Sequence, residues 1–307
     1  MQDFFQELIF MRSYTKIKSK VIVILGQTAT GKSDFAVQLA KKVGGEIISA
    51  DSRQVYKGMN LGTGKITQKE MMGIPHYLLD VVHPKKVFSV SDFKKLADKK
   101  IEDIIARGKT PIICGGTGFY IDAVVDGNII PEVPPNKKLR LVLEKKSPEK
   151  LLEILKKLDK NRAKNIDPKN KVRLIRAIEI AKTIGKVPKV KSNKKYEVIK
   201  IGLTLPDEIL KDKIKTRLLA RIKKGMLREI QKLHRNGVSW KRMEMLGLEY
   251  RYGALYLQGK LNKEEMLEKL NTEIWHYAKR QKTWFKRDKN TIWIDPRNKN
   301  NRIRLKI

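Results

Sequence analysis

The residues best suited to chemistry stand near the start of the chain, at Gly26-Gln27-Thr28-Ala29-Thr30-Gly31-Lys32-Ser33. The two glycines let the backbone turn so that successive N–H groups point inward at an anion. Lys32 supplies a mobile full charge, and Ser33 a hydroxyl able to ligate Mg²⁺. A glycine followed five residues later by Gly-Lys-Ser reads as a di- or triphosphate site when it joins a strand to a helix. Both flanks fit. Val21-Ile-Val-Ile-Leu25 is the apolar β-branched run of a strand buried on both faces, and Ser33 to Val43 places Phe35, Ala36, Leu39, Ala40 and Val43 at helical spacing. Such a helix aims its positive end at the bound phosphate. The motif does not say whose phosphates they are.

A second strand-like run, Glu46-Ile-Ile-Ser-Ala50, ends at Asp51. Ligands of open α/β sheets bind at the carboxyl ends of strands, so Asp51 is expected to face the phosphate loop across a crevice. A carboxylate there can hold Mg²⁺ or accept a proton from an acceptor nucleophile; a turn or N-cap role is the plainer alternative. A further strand, Lys109 to Cys114, ends in Gly115-Gly116-Thr117-Gly118 at the same edge. Its glycines permit close backbone approach and Thr117 offers a hydroxyl. No convincing apolar strand ends in a second Mg²⁺-binding Asp, which shifts weight from a generic ATPase toward a loop that holds some other pyrophosphate.

These groups need a frame. Gly44-Gly45 stops the first helix, Asp92 to Ala106 is a second amphipathic helix ended by Gly108, and strand and helix alternate, as in a parallel sheet with right-handed crossovers. After Gly127 the texture changes: Pro131, Pro134 and Pro135 break the chain, and Lys138 to about Ala181 reads as helices, ended by Gly185 and Pro188. Tyr196 to Leu205 resembles a strand returning to the sheet, the chain from Pro206 is mostly helical, and Thr291-Ile-Trp-Ile294 is a final short strand. The expected fold class is α/β, a P-loop NTPase-like core with a parallel sheet flanked by helices, plus a helical insertion domain. The core is expected over 19–128 and 197–307, the insertion over 129–196, and an N-terminal extension over 1–18.

Bulk composition agrees with a basic, globular enzyme. Lys and Arg number 68 against 33 Asp and Glu, a formal net charge of +35 in 307 residues, which favours a polyanionic partner unless it is a proteome-wide lysine bias. Hydrophobic residues make up 41%, enough for a packed core. The single cysteine, Cys114, lies in an apolar run and reads as a small buried hydrophobe; a chain with one cysteine forms no internal disulfide and suits a reducing, cytoplasmic location. No apolar run reaches the roughly 18 residues of a membrane span, so no membrane association is expected. Met1 to Met11 carries acidic residues unlike a signal peptide; it reads as a frayed extension, or Met11 is the true start.

Several ordered stretches resemble one family, the tRNA dimethylallyltransferases or tRNA isopentenyltransferases. They are Gly26 to Ser33, Ser49-Ala-Asp-Ser-Arg-Gln-Val-Tyr56 with Gly58-Met-Asn-Leu-Gly-Thr63, Pro75-His-Tyr-Leu-Leu-Asp80, Phe88-Ser-Val-Ser-Asp-Phe93, Gly115 to Tyr120, Asn170 to Glu179, and Ala278-Lys-Arg-Gln-Lys-Thr-Trp284. The resemblance implies that the loop holds the pyrophosphate of dimethylallyl diphosphate, with Mg²⁺ as cofactor and Ser33 as its protein ligand. It implies an acceptor adenosine just 3′ of the tRNA anticodon, alkylated at N6, with Asp51 as general base and Thr117 and Lys32 in the catalytic set. Contacts to the anticodon stem-loop are expected from Asp51, Ser52, Arg53, Gln54, Thr117, Arg173, Arg176, Lys279, Arg280, Gln281 and Trp284. Arg173 and Arg176, a turn apart, read either as a backbone grip or as a salt-bridged helix face. Cations interleave with aromatics from Lys279 to Arg287, as an RNA surface needs, or as a basic helix with core aromatics has.

Two stretches depart from the family pattern. Ile274-Trp-His-Tyr277 stands where an arginine is usual, and Gly247 to Gly253 is longer than usual and brings Arg251. A monomer is expected. The competing readings are a small-molecule or nucleoside kinase using ATP, a transferase acting on free AMP or ATP, and a non-catalytic RNA-binding module.

Overall fold

The computed structural model describes residues 20–127, 131–188 and 195–298. The run Val21 to Leu25 lies in strand β1 (Lys20–Gly26), buried from Val21 onward. Its side chains alternate: Val21, Val23 and Leu25 enter one core, Ile22 and Ile24 the core on the opposite face. Helix α1 (Lys32–Val43) follows the Gly26–Gly31 turn and ends at Gly44, and strand β2 (Gly45–Ser49) follows at once. A short helix α2 (Gln68–Met71) and a two-residue strand β3 (His76–Tyr77) come next. No periodicity announces β3, because two half-buried residues carry none. Helix α3 spans Val90–Ala106; it starts two residues before the expected Asp92 because Ser89 and Asp92 form a reciprocal capping box. Strand β4 (Thr110–Cys114) and helix α4 (Gly118–Val125) complete the first half.

The chain divides into two units, one of residues 1–126 with 194–307, the other of 127–193. The boundaries read from sequence, 129 and 196, fall two to three residues later. In the larger unit, β5 (Glu197–Leu203) lies along β1 in parallel through seven residue pairs, from Lys20 opposite Glu197 to Gly26 opposite Leu203. The sheet order is β3-β2-β4-β1-β5-β6, where β6 is Ile292–Ile294, and every pairing is parallel. The ends of β1, β2 and β4 therefore share one edge. Helices α3 and α4 cover one face through Phe93, Ile101, Tyr120 and Val124, and α1 covers the other through Ala36, Leu39 and Ala40. A helical layer follows: α9 (Asp207–Lys223), α10 (Met226–Arg235), α11 (Trp240–Leu246), α12 (Leu248–Leu257) and α13 (Lys263–Phe285), after α5 to α8 of the smaller unit. Helix α13 buries Met266, Leu270, Ile274, Ala278, Gln281 and Phe285, a stripe at intervals of four and three. No helix among the described residues is long and apolar enough to cross a membrane.

The smaller unit packs α5 (Lys137–Glu144), α6 (Pro148–Leu158) and α7 (Lys160–Lys164) with α8 (Lys171–Ile184) around Leu143, Leu151, Leu155, Leu174 and Ile178. At its centre Glu179 is fully buried and accepts from the Asn136 N–H and from the guanidinium groups of Arg140 and Arg176. Arg176 also donates to the Val133 carbonyl at 2.9 Å. Of the two arginines read as a phosphate grip, Arg176 is thus committed to the fold, and Arg173 is exposed. Burial alone would raise the Glu179 pKa, but the donors from Arg140, Arg176 and Asn136 outweigh it and bring it down to about 2. A depressed folded-state pKa stabilises above the unfolded value and loses that contribution as pH falls from about 4.5 through about 2. Glu179→Leu is expected to cost the smaller unit on the order of 3 kcal/mol at neutral pH. In thermal melts of the full chain, the gap between variant and wild type should close as pH falls through that window.

Candidate active site

The loops after β1, β2 and β4 meet at the shared sheet edge. Gly26 ends β1 with φ 136°, and a Cβ there would fall 2.3 Å from the Leu203 carbonyl oxygen, so only glycine lets the chain leave the sheet at this point. Ala29 holds φ 63° at the tip of the loop, a conformation that persists because its neighbours are pinned. Thr30 Oγ1 donates to the Gln27 carbonyl at 2.8 Å, and Lys32 Nζ turns back onto the same oxygen. Gly31 caps α1, whose first turn presents Lys32 and the exposed Ser33. Burial brings the Lys32 ammonium down to about 8, against the opposing pull of Cys114 and Asp51. Burial in turn pushes the Cys114 thiol up to about 12, so it is no nucleophile.

The loop is also held from outside. Gln281, 5% exposed on α13, accepts from the Thr28 N–H at 2.8 Å and donates to the Gly116 carbonyl at 2.8 Å. Gln27 Nε2 donates to the Ala278 carbonyl at 3.3 Å. Gln281, read from sequence as an RNA contact, is therefore a nearly buried brace between the loops after β1 and β4 that also lines the larger cavity.

Asp51 stands where β2 ends. Its Oδ1 accepts from the N–H groups of Arg53 at 2.8 Å and Gln54 at 3.4 Å, while Oδ2 makes no hydrogen bond among the described residues. The turn role and an available carboxylate oxygen thus coexist. Thr117 Oγ1 accepts from the Ser52 N–H at 3.0 Å, which ties the β4 loop to the Asp51 turn. Gln54 accepts from Ser49 and donates to the Gly64 carbonyl. Glu229 on α10 completes the wall: its carboxylate accepts from the N–H groups of Asn60, Leu61 and Gly62 and from the Tyr250 hydroxyl.

Between these loops lie two cavities. The larger, about 590 Å³, runs over Gly31, Lys32, Ser33 and Gly115 to Arg217 of α9. The smaller, about 270 Å³, has apolar walls from Leu246, Leu248 and Ile274 and polar ones from Ser52, Arg53 and Arg280. Thr28, Asp51, Thr63, Arg221 and Tyr277 line both, so Asp51 sits at their junction. A third hollow of similar volume, lined by Asp122, Lys200 and Trp284, touches neither the phosphate loop nor Asp51.

Several of these groups escaped sequence reading. Arg217 and Arg221, one turn apart on α9, reach the larger cavity; burial and the like charge of Arg221 lower Arg217 to about 10. Arg221 pairs with Glu249 at 3.2 Å, and burial raises the Glu249 pKa despite that partner. Their i,i+4 spacing was visible but lost among many helical lysines. Tyr277, the last residue of the stretch that departs from the family pattern, lines both cavities, and Arg251 lines the smaller one. Lys279 lies 5.6 Å over the Trp275 ring, and Trp284 donates to Asp122. His76 and His83 bond only to backbone, and no group of three metal-binding side chains occurs among the described residues.

An all-parallel sheet with Gly26 to Ser33 between β1 and α1 defines a P-loop enzyme of phosphate-ester or diphosphate chemistry. The family model described as IPP transferase matches residues 54–288. The tRNA dimethylallyltransferase 2 of Treponema denticola is 45% identical over 285 residues, covering 91% of this chain and 95% of its own. That of Anoxybacillus flavithermus is 42% identical over 282 residues, covering 90% of each. Among solved structures, the full-length tRNA isopentenylpyrophosphate transferase of Bacillus halodurans matches with TM-score 0.69 and 38% identity over 91% of this chain and 90% of its own. A eukaryotic dimethylallyltransferase acting on tRNA matches with TM-score 0.75 and 31% identity over 87% and 70%. The chain belongs to the IPP transferase family.

Gln281→Leu removes a donor and an acceptor from two buried backbone groups, a loss of about 1–3 kcal/mol for each group left unpaired. The variant is expected to raise KM for the diphosphate substrate at least tenfold while leaving RNA affinity within twofold. Steady-state kinetics beside RNA filter binding would check this; a large fall in RNA affinity would restore the surface role read from sequence.

Proposed function

We propose that this chain transfers the dimethylallyl group from dimethylallyl diphosphate to N6 of the adenosine 3′-adjacent to the anticodon in tRNA, giving N6-isopentenyladenosine and diphosphate. The observation that carries this reading is the pair of cavities meeting at Asp51, one lined by the P-loop and one by Arg53, Arg280 and apolar side chains. The diphosphate lies against the loop N–H groups, Lys32 and Ser33. The acceptor base, flipped from the anticodon loop where unstacking is cheap, enters from the other side.

An adenine amine shares its lone pair with the ring, so its proton must leave as the new bond forms. Asp51 Oδ2 takes that proton as N6 bonds to the allylic carbon and the carbon–oxygen bond to diphosphate breaks. Lys32, Arg217 and the N-terminus of α1 face the charge that grows on the leaving diphosphate. Thr117 is a positioning residue that holds the Asp51 turn through Ser52. Mg²⁺ suits the site as a companion of the diphosphate: Ser33 offers one hydroxyl, and this ion ordinarily takes few protein ligands beside phosphate oxygens and water. When bound it neutralises leaving-group charge. Arg173, Lys279 and Arg280, all exposed, serve the RNA backbone. One cysteine and the strongly basic surface suit a cytoplasmic enzyme that works on RNA as a monomer.

The direct test supplies purified protein, Mg²⁺ and labelled dimethylallyl diphosphate with unmodified tRNA, AMP or ATP. Label is expected in tRNA alone; label in AMP would make it a nucleotide prenylating enzyme, and phosphate release from ATP without transfer would make it a kinase. Asp51→Asn should lower single-turnover transfer by about 10²- to 10⁴-fold with tRNA affinity intact. Lys32 also gives the reaction a pH limit. Its ammonium is lost as pH rises through about 8 in the free enzyme, so kcat/KM for the diphosphate should fall above that pH. In Lys32→Arg, whatever its absolute rate, the alkaline fall should vanish, because guanidinium stays charged.

A further inference from the structure

Among the described residues one aromatic side chain is exposed: Phe119, 52% accessible, second residue of α4 and two positions after Thr117. Single exposed apolar groups are ordinary on protein surfaces. Phe119 is set apart by where it stands and by what holds it there. Along α13, Tyr277 and Arg280 line the smaller cavity, and Trp284 follows one helical turn, about 5.4 Å, further on. Trp284 is the aromatic that the sequence offers for stacking, but its surroundings already use it. Its Nε1 donates to Asp122 at 2.9 Å, and the Arg287 guanidinium carbon lies 3.8 Å from the ring centroid. The indole also occupies the space beside Gly118, where a Cβ would fall 2.2 Å from Cδ1. Phe285 is buried. Trp284 is therefore a pinned support, and Phe119 packs against it near-perpendicular at 76° with ring centroids 6.4 Å apart. The edge contact supports Phe119 and leaves the exposed part of its ring to solvent, three residues along the chain from Gly116, which lines the larger cavity.

We propose that Phe119 is a stacking platform for the unpaired nucleobase next to the acceptor adenosine, an inference that rests on the tRNA reading above. Extracting one base from a loop leaves its neighbour without a stacking partner, and a supported aromatic ring replaces that partner at little entropic cost. Arg287, stacked on Trp284, and Arg280, one turn before Trp284 on α13, suit the adjoining phosphates. The ring accepts any base, so the platform contributes affinity and register, not sequence choice.

Binding of an anticodon stem-loop RNA and its prenylation are measured for wild type, Phe119→Ala, Phe119→Leu and Phe119→Tyr. Phe119→Ala should weaken RNA binding about tenfold, Phe119→Leu nearly as much, and Phe119→Tyr little. KM for dimethylallyl diphosphate should not move. The deciding arm uses RNAs abasic at the 5′ or the 3′ neighbour of the acceptor: against one of them the Phe119→Ala penalty should disappear. Equal affinities on intact RNA, or an undiminished penalty on both abasic RNAs, would overturn the platform. Wild type that prenylates no RNA would instead overturn the functional reading itself.

Discussion

A single carboxamide holds two loops in register that the chain separates by about ninety residues. Gln281 gives Thr28 an acceptor and takes Gly116 as its own, and with it α13 fixes both the phosphate loop and the loop that carries Thr117. The constraint behind this is general. A crevice that must grip a polyanion with backbone N–H groups needs irregular chain, and irregular chain cannot satisfy its own polar groups. Here side chains do so from outside. Gln281 serves one wall, and Glu229 serves the opposite one by accepting three consecutive N–H groups of residues 60 to 62. Helices distant in sequence complete the hydrogen bonding of these loops.

The same logic separates what could be read from the sequence. The phosphate loop, Asp51 and Thr117 are legible because their chemistry depends on local order: a strand, a turn and a helix within a few residues. The sheet is legible where apolar β-branched runs have five or more residues and not at His76-Tyr77. Arg217, Arg221 and Glu249 are not legible, since a useful charge on a helix looks like any other in a chain with 68 Lys and Arg. Gln281 and Trp284 lie in a stretch singled out for RNA contact, and in the fold both side chains hold protein partners. Gln281 falls on the stripe Ile274, Ala278, Gln281, Phe285, and that periodicity places it inside. Arg176 and Glu179, three residues apart, likewise carried the spacing of an ion pair.

Charge acts at two ranges. The excess of +35 draws a polyanion from a distance and is screened by salt within about 8–10 Å. Inside the crevice the balance is finer, because Asp51 and Glu249 stand among Lys32, Arg217 and Arg221. Long-range attraction can deliver an RNA, and only the second arrangement can discriminate what is delivered.

The parallel pairing of β1 with β5 and the brace from Gln281 also impose an order in time. Synthesis runs from the N-terminus at roughly 5–20 residues per second. The phosphate loop emerges early and β4 follows by residue 114, but the second strand beside β1 starts only at residue 197, and the brace comes only at residue 281. A ribosome-bound chain therefore carries the grip long before it can close it. Until residue 281 has joined α13, the abundant lysines meet RNA without a braced crevice behind them.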